Sequence, residues 1–184
     1  MLQWFRRRAE GRRRAGELYG SVVTAARQPV FYRDMGVPDT PEGRFELVAL
    51  HLFLALEALK QPDQGQFDVT QRTIEAFVTD MDDCMREMGV GDLTVPKKVK
   101  RAAAAFYERA GAYRRALSSG HNLDLETSLE RYVFAGSRET GNSIGELAGY
   151  VRNAAAALSV QPFDKLLASG GLLKPLSGRR AEGT

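Results

Sequence analysis

The ten-residue run from Leu47 to Leu56 is apolar at every position except His51 and is bounded by Glu46 and Glu57. A bilayer core needs about 20 such residues, so the run is too short to cross one and has to be buried by the protein's own chain. Thr40 followed by Pro41 supplies an N-cap and a first helical position. From there Phe45, Val48, Leu52, Ala55, Leu56 and Leu59 share one helical face, and Leu47, Leu50, Phe53 and Leu54 occupy the others. A helix that is apolar nearly all round sits at the centre of a bundle.

The rest of the chain supplies the surrounding helices. Leu18, Val22, Ala25 and Ala26 predict a first helix over residues 15–28. Residues 29–43, with three prolines and two glycines, read as a long ordered loop. Ile74, Phe77, Val78, Met81, Met85 and Met88 stripe a helix over 69–88, whose opposite face carries Asp80, Asp82, Asp83, Arg86 and Glu87 and which Gly89 closes. A helix from Pro96 to near Gly120 turns Phe106, Ala110, Tyr113 and Leu117 inward, and another follows Asp124 with Leu125, Leu129, Tyr132 and Val133. The last opens on a capping box, Ser143-x-x-Glu146, and carries Ile144, Leu147, Val151, Ala155 and Leu158. A short turn after Pro162 and a stop at Gly170-Gly171 complete the ordered part. No segment alternates like a strand and no repeat recurs, so the fold class is all-α: one bundle-like domain of about six helices.

Charge divides the 184 residues more sharply than the net +3 suggests. Residues 1–14 hold six arginines against Glu10, for +5, and Lys174, Arg179 and Arg180 against Glu182 give the tail +2, leaving −4 for residues 15–173. The expected organisation is a basic N-terminal arm (1–14), a helical domain (15–173) and a flexible C-terminal tail (174–184). A domain-wide basic footprint for nucleic acid is absent, and no sequence-specific nucleic acid is expected. The start lacks the apolar stretch of about 7 to 15 residues of a secretory signal, so the protein is expected to remain where it is made.

Catalytic chemistry finds no constellation. A single cysteine, Cys84, excludes an internal disulfide, and with only His51 and His121 a histidine-rich metal centre is out of reach. The acids at 80, 82 and 83 lack the Glu-x-x-His partners of a di-metal bundle and read as a solvated face, with Asp82 and Arg86 paired at i and i+4. His51 among leucines reads as a buried neutral histidine bonded to a neighbour, and Cys84 as a small hydrophobe. No glycine cluster follows a strand to cradle phosphate. Neither enzyme activity, nor a metal, nor a cofactor is expected.

Two features stand out. Lys97, Lys98, Lys100 and Arg101 crowd the first turns of a helix, against the macrodipole, which calls for an anion nearby: the acidic helix face or an external phosphate. The segment Arg27 to Arg44 gathers Arg27, Pro29, Phe31, Tyr32, Pro38, Asp39, Thr40, Gly43 and Arg44. Aromatics among arginines and rigid prolines are typical of a contact surface, and equally of a loop folded over the core with its rings buried.

Five ordered motifs over about residues 15–165 resemble the ubiquinol-cytochrome c chaperone family, in its bacterial form. They are Arg27-Gln-Pro-Val-Phe-Tyr; Gly36-Val-Pro-Asp-Thr-Pro-Glu-Gly-Arg-Phe-Glu-Leu; Leu50-His-Leu; Asp80-Met-Asp-Asp-Cys-Met-Arg-Glu-Met-Gly-Val-Gly-Asp; and Val95-Pro-Lys-Lys-Val with Phe106-Tyr-Glu-Arg and Ala112-Tyr113. The resemblance implies an assembly chaperone, not a catalyst, that binds newly made cytochrome b during biogenesis of the ubiquinol-cytochrome c reductase complex. Its implied setting is the bacterial cytoplasm, peripheral to the inner membrane. A small co-chaperone subunit, the ribosome exit region and an anionic membrane surface are the further partners it suggests. On the motifs, Phe45, Asp80, Asp82, Arg86, Glu87, Asp92, Lys97, Lys98, Arg109 and Tyr113 join the Arg27–Arg44 residues as partner-binding candidates. Met81, Met85 and Met88 suit either the core or an adaptable groove for varied apolar partners. Trp4, Phe5, Arg6, Arg7, Arg8, Arg12, Arg13 and Arg14 are candidates for membrane or ribosome contact, the alternative being a disordered solubilising arm. The alternative function is a peripheral lipid- or quinone-binding protein with helices 44–60 and 144–158 as pocket walls.

Overall fold

The computed structural model describes residues 2–59, 64–87, 95–135, 137 and 142–161. Among these are seven α-helices and no strand: α1 (Leu2–Ala26), α2 (Pro29–Arg33), α3 (Pro41–Ala58), α4 (Gln64–Glu87), α5 (Val95–Ser119), α6 (Asn122–Tyr132) and α7 (Ser143–Ser159). α3 is the axis. Every residue from Glu46 to Ala55 is buried, and α1, α5 and α7 pack directly on it. α4 packs between α1 and α5, and α6 between α5 and α7, so these five helices form a continuous series around the segment that is apolar all round. No described helix is long and apolar enough to cross a membrane.

α3 starts where its sequence dictates. The Thr40 hydroxyl accepts the Gly43 amide at 3.1 Å, and Pro41 takes the first turn. Gly43 lies so close under the Pro38 carbonyl that a Cβ there would collide with it. At the other end of the bundle, Gly120 takes φ 72° and stops α5, a conformation that glycine adopts without strain.

Besides α4, which starts at Gln64 and not at residue 69, three features differ from expectation. The first helix begins at Leu2, not residue 15, so the basic arm is continuous with it. Ion pairs bind its turns together: Arg13 holds Glu10 at 2.7 Å and Glu17 at 2.6 Å, and Arg14 holds Glu10 at 2.8 Å. These pull the Glu10 carboxyl down to about 2. Gly11 is buried with the Asp68 carboxylate of α4 at the place a Cβ would fill, so this turn of α1 docks on α4 by letting that side chain lie against it. Second, the expected loop of 29–43 contains α2, opened by Pro29. Third, the N-cap of α7 is Asn142, with Ser143 already helical; the Asn142 amide donates to Glu146 at 3.2 Å, so the Ser143 capping box is not formed. Gly89, Met88, the turn after Pro162, Gly170-Gly171 and the tail lie outside the described residues, as do the side chains of Cys84 and Met85.

Candidate partner-binding groove

A groove of about 1150 Å³ opens where the end of α1, α2 and the first turns of α3 meet α4 and α5. Arg27, Pro29, Tyr32 and Arg33 form one rim. Asp39, Pro41, Glu42 and Arg44 form the next, Phe45, Glu46 and Val48 supply the floor, and Asp80, Met81 and Arg109 close the far side. Residues from the first, second, fourth and fifth sequence motifs thus meet in one cavity.

The floor is built on an ion pair spanning 63 residues. The Arg109 guanidinium grips Glu46 with both arms, Nε to Oε2 at 2.7 Å and Nη2 to Oε1 at 2.6 Å, while Nη1 donates to the Ala105 carbonyl at 3.0 Å. Their side chains are 18% and 9% exposed, so the pair is largely shielded from water. Burial pushes the Glu46 carboxyl up, and the guanidinium pulls against it without winning. Arg109 also lies over the Phe45 ring at 5.8 Å and the Tyr132 ring at 4.9 Å, which places its charge on aromatic faces.

Elsewhere the groove's charges are partly satisfied. Arg44 holds Asp39 at 2.7 Å and keeps that carboxyl below its ordinary range. Asp80 accepts the Tyr19 hydroxyl at 2.7 Å, and the Tyr32 hydroxyl donates to the Ala26 carbonyl at 3.1 Å, closing the end of α1. Arg27 and Arg33 are exposed and make no ion pair with any described residue. The arrangement is an apolar floor of Phe45, Val48 and Met81 under a rim that carries these two cations.

The structure brings together eight of the partner-binding candidates: Arg27, Pro29, Tyr32, Asp39, Arg44, Phe45, Asp80 and Arg109. It separates others. Phe31 and Tyr113 are fully buried core residues, Gly43 is buried under Pro38, and Thr40 is occupied as a cap. Pro38 is half-buried outside the lining. Asp92 and the side chains of Asp82, Arg86, Glu87, Lys97 and Lys98 lie outside the described residues; Lys100 and Arg101 of that basic cluster are exposed. On α1, Arg6, Arg12 and Arg13 are exposed and Arg14 partly so, whereas the side chains of Trp4, Phe5, Arg7 and Arg8 lie outside the described set. Arg33, Pro41, Glu42, Glu46 and Val48 join the site without having been expected there. Glu46 does carry a signal: an acid at the edge of a helix buried on all sides needs a cationic partner. No residue of α7 lines this cavity, so helices 44–60 and 144–158 do not wall it as a pair.

His51 has the buried, neutral role expected of it. It is fully enclosed, its Nδ1 lies 2.7 Å from the Leu47 carbonyl and its Nε2 2.8 Å from the Tyr150 hydroxyl. A carbonyl only accepts, so Nδ1 carries the proton and Nε2 accepts from Tyr150. Burial lowers its pKa to about 4.

The likeness of this chain to known proteins extends over nearly the whole fold. The crystal structure of the Cbp3 homolog from Brucella abortus superposes with a TM-score of 0.79 at 35% identity, over 90% of this chain and 92% of that one. No curated protein matches. The family model described as ubiquinol-cytochrome C chaperone matches residues 33–172, a span that includes α3 to α7 and all of the groove except Arg27, Pro29 and Tyr32. By that match and that fold, the chain belongs to the ubiquinol-cytochrome C chaperone family.

Proposed function

We propose that this protein is an assembly chaperone for the ubiquinol-cytochrome c reductase complex, and that it holds newly made cytochrome b through the groove between α1, α2, α3, α4 and α5. The observation that carries this reading is the convergence of family-motif residues, distant in sequence, on a single cavity with an apolar floor and charged rim. A membrane protein segment emerging in water exposes apolar surface, and covering it is worth about 25 cal/mol per Å². Phe45, Val48 and Met81 offer such cover. Arg27 and Arg33 give a second, electrostatic handle at the edge, where charge steers encounter more than it adds affinity.

The exposed arginines at the start of α1 extend the proposal to location: they hold the chaperone near the anionic leaflet into which its client inserts, each basic residue near the surface contributing about 1 kcal/mol. Deleting the protein and measuring b-type haem absorbance and intact reductase in membranes, with transcript levels followed in parallel, tests the function. Loss of assembled reductase at unchanged transcript is expected, and a normal complex would refute the proposal. For the location, a chain with Arg6 and Arg12 changed to Glu is expected to leave anionic vesicles at lower salt than the wild type; sedimentation with ribosomes alone would refute the membrane attachment.

A further inference from the structure

Among the described helices α2 is the least able to hold its own position. It has five residues, and Phe31 is the one that is fully buried. Its backbone bonds are internal to the segment: Phe31 N–H to the Gln28 carbonyl at 3.3 Å, Met35 N–H to Val30 at 3.1 Å, and Val37 N–H to Phe31 at 3.0 Å. Bonds this local in so short a segment last only while the segment stays seated, so their amides report how firmly it is held. It is tied to the end of α1 by Gln28 N–H to the Ala25 carbonyl at 3.3 Å and by the Tyr32 hydroxyl to the Ala26 carbonyl at 3.1 Å, and within α2 itself the side chain that seats it in the core is the Phe31 ring.

The socket for that ring is two rings from two other helices. Phe31 stands edge-on to His51 of α3 at 5.1 Å and 73°, and to Tyr150 of α7 at 5.0 Å and 69°. Edge-to-face geometry depends on orientation, so a plug of this kind is only as well placed as the rings it meets. Both are held. The bond from Nδ1 to Leu47 fixes the imidazole along α3, and the Tyr150 hydroxyl on Nε2 fixes the phenol against it.

We infer that the His51–Tyr150 hydrogen bond is a positioning device for the groove, fixing the socket that receives Phe31 and thereby setting where α2 carries Pro29, Tyr32 and Arg33. His51 and Tyr150 do not line the groove, so they act through Phe31. α7, which contributes no residue to the cavity, thus governs one of its rims. The consequence for client capture rests on the proposed function; the consequence for the rim does not.

Amide exchange on the full chain tests this, with Tyr150→Phe as the variant and Leu129→Val as the control. The first removes the hydroxyl and keeps the ring. The second trims a fully buried side chain of α6, a helix that supplies neither a ring to the socket nor a residue to the groove, and is expected to lower overall stability by a comparable amount. The Met35 and Val37 amides are expected to exchange about tenfold faster in Y150F than in L129V at matched stability. Equal exchange at these amides in the two variants would overturn the inference. Capture of cytochrome b made in a cell-free system is expected to weaken several-fold in Y150F only. A loosened rim with full capture would keep the positioning role and refute the groove as the client site. Should Y150F not fold, Phe31→Leu acts on the same plug from the α2 side and is expected to give the same loosened rim; an unchanged rim in that variant overturns the inference.

Discussion

At the scale of the residue, burial decides what the polar groups can do. His51 ordinarily titrates near 6.5 and is held to about 4 by the cost of charging it inside α3. Its folded pKa is the lower one, so the unfolded chain takes up the proton first. The stability it contributes is whole above pH 6.5 and is lost as the pH falls towards 4. At 1.36 kcal/mol per unit the loss is about 3 kcal/mol. Denaturant unfolding of the wild type and His51→Gln should therefore show the wild type's advantage shrinking across that window; a constant difference would refute the assignment. The Glu46–Arg109 pair makes the opposite kind of demand, since neither partner tolerates the absence of the other. Arg109→Ala is expected to cost about 3 to 5 kcal/mol by leaving a buried carboxylate alone, and the double change Glu46→Leu with Arg109→Met to recover most of it, measured by urea unfolding. Little of this pairing is legible in the sequence. The Asp39–Arg44 pair is five residues apart and local, whereas Glu46 and Arg109 meet only because α5 packs on α3.

At the scale of the element, the helices that can be read from sequence are those whose apolar positions repeat at helical spacing. α3, α4, α5, α6 and α7 fall within a few residues of expectation for that reason. The first turns of α1 have no such stripe. They are helical through Glu10, Arg13, Arg14 and Glu17 and through the close approach of Gly11 to α4, the last a contact between distant segments. α2 is too short to show any period, and the prolines and glycines around it favour a loop. The start of α3, by contrast, is legible in Thr40 and Pro41, and Gly43 adds a packing requirement that only the folded chain reveals. Gly43→Ala forces its Cβ against the Pro38 carbonyl and is expected to lower stability by about 1 to 3 kcal/mol and to shift the Asp39–Arg44 edge of the groove. A thermal melt within a degree of wild type would show that Pro38 yields freely.

At the scale of the whole molecule, the chain keeps its most apolar helix at the centre and offers partners a cavity at the edge, where α1 and α2 end. The charges there separate stability from recognition. Arg27 and Arg33 are exposed and unpaired among the described residues, so changing both to Glu should leave the melting temperature nearly unchanged, as surface substitutions stay within about 0.5 kcal/mol. Capture of cytochrome b should fall, and its salt dependence should flatten; capture at wild-type level would remove these arginines from the site. The central place of α3 also has a consequence in time. Residues 46–55 are made before any of α4 to α7, and α7 follows roughly 100 residues later. At about 5 to 20 residues per second, the future axis of the bundle spends on the order of 5 to 20 s as a naked greasy segment during its own synthesis. A protein proposed to shelter such segments in others is, for those seconds, in need of the same protection.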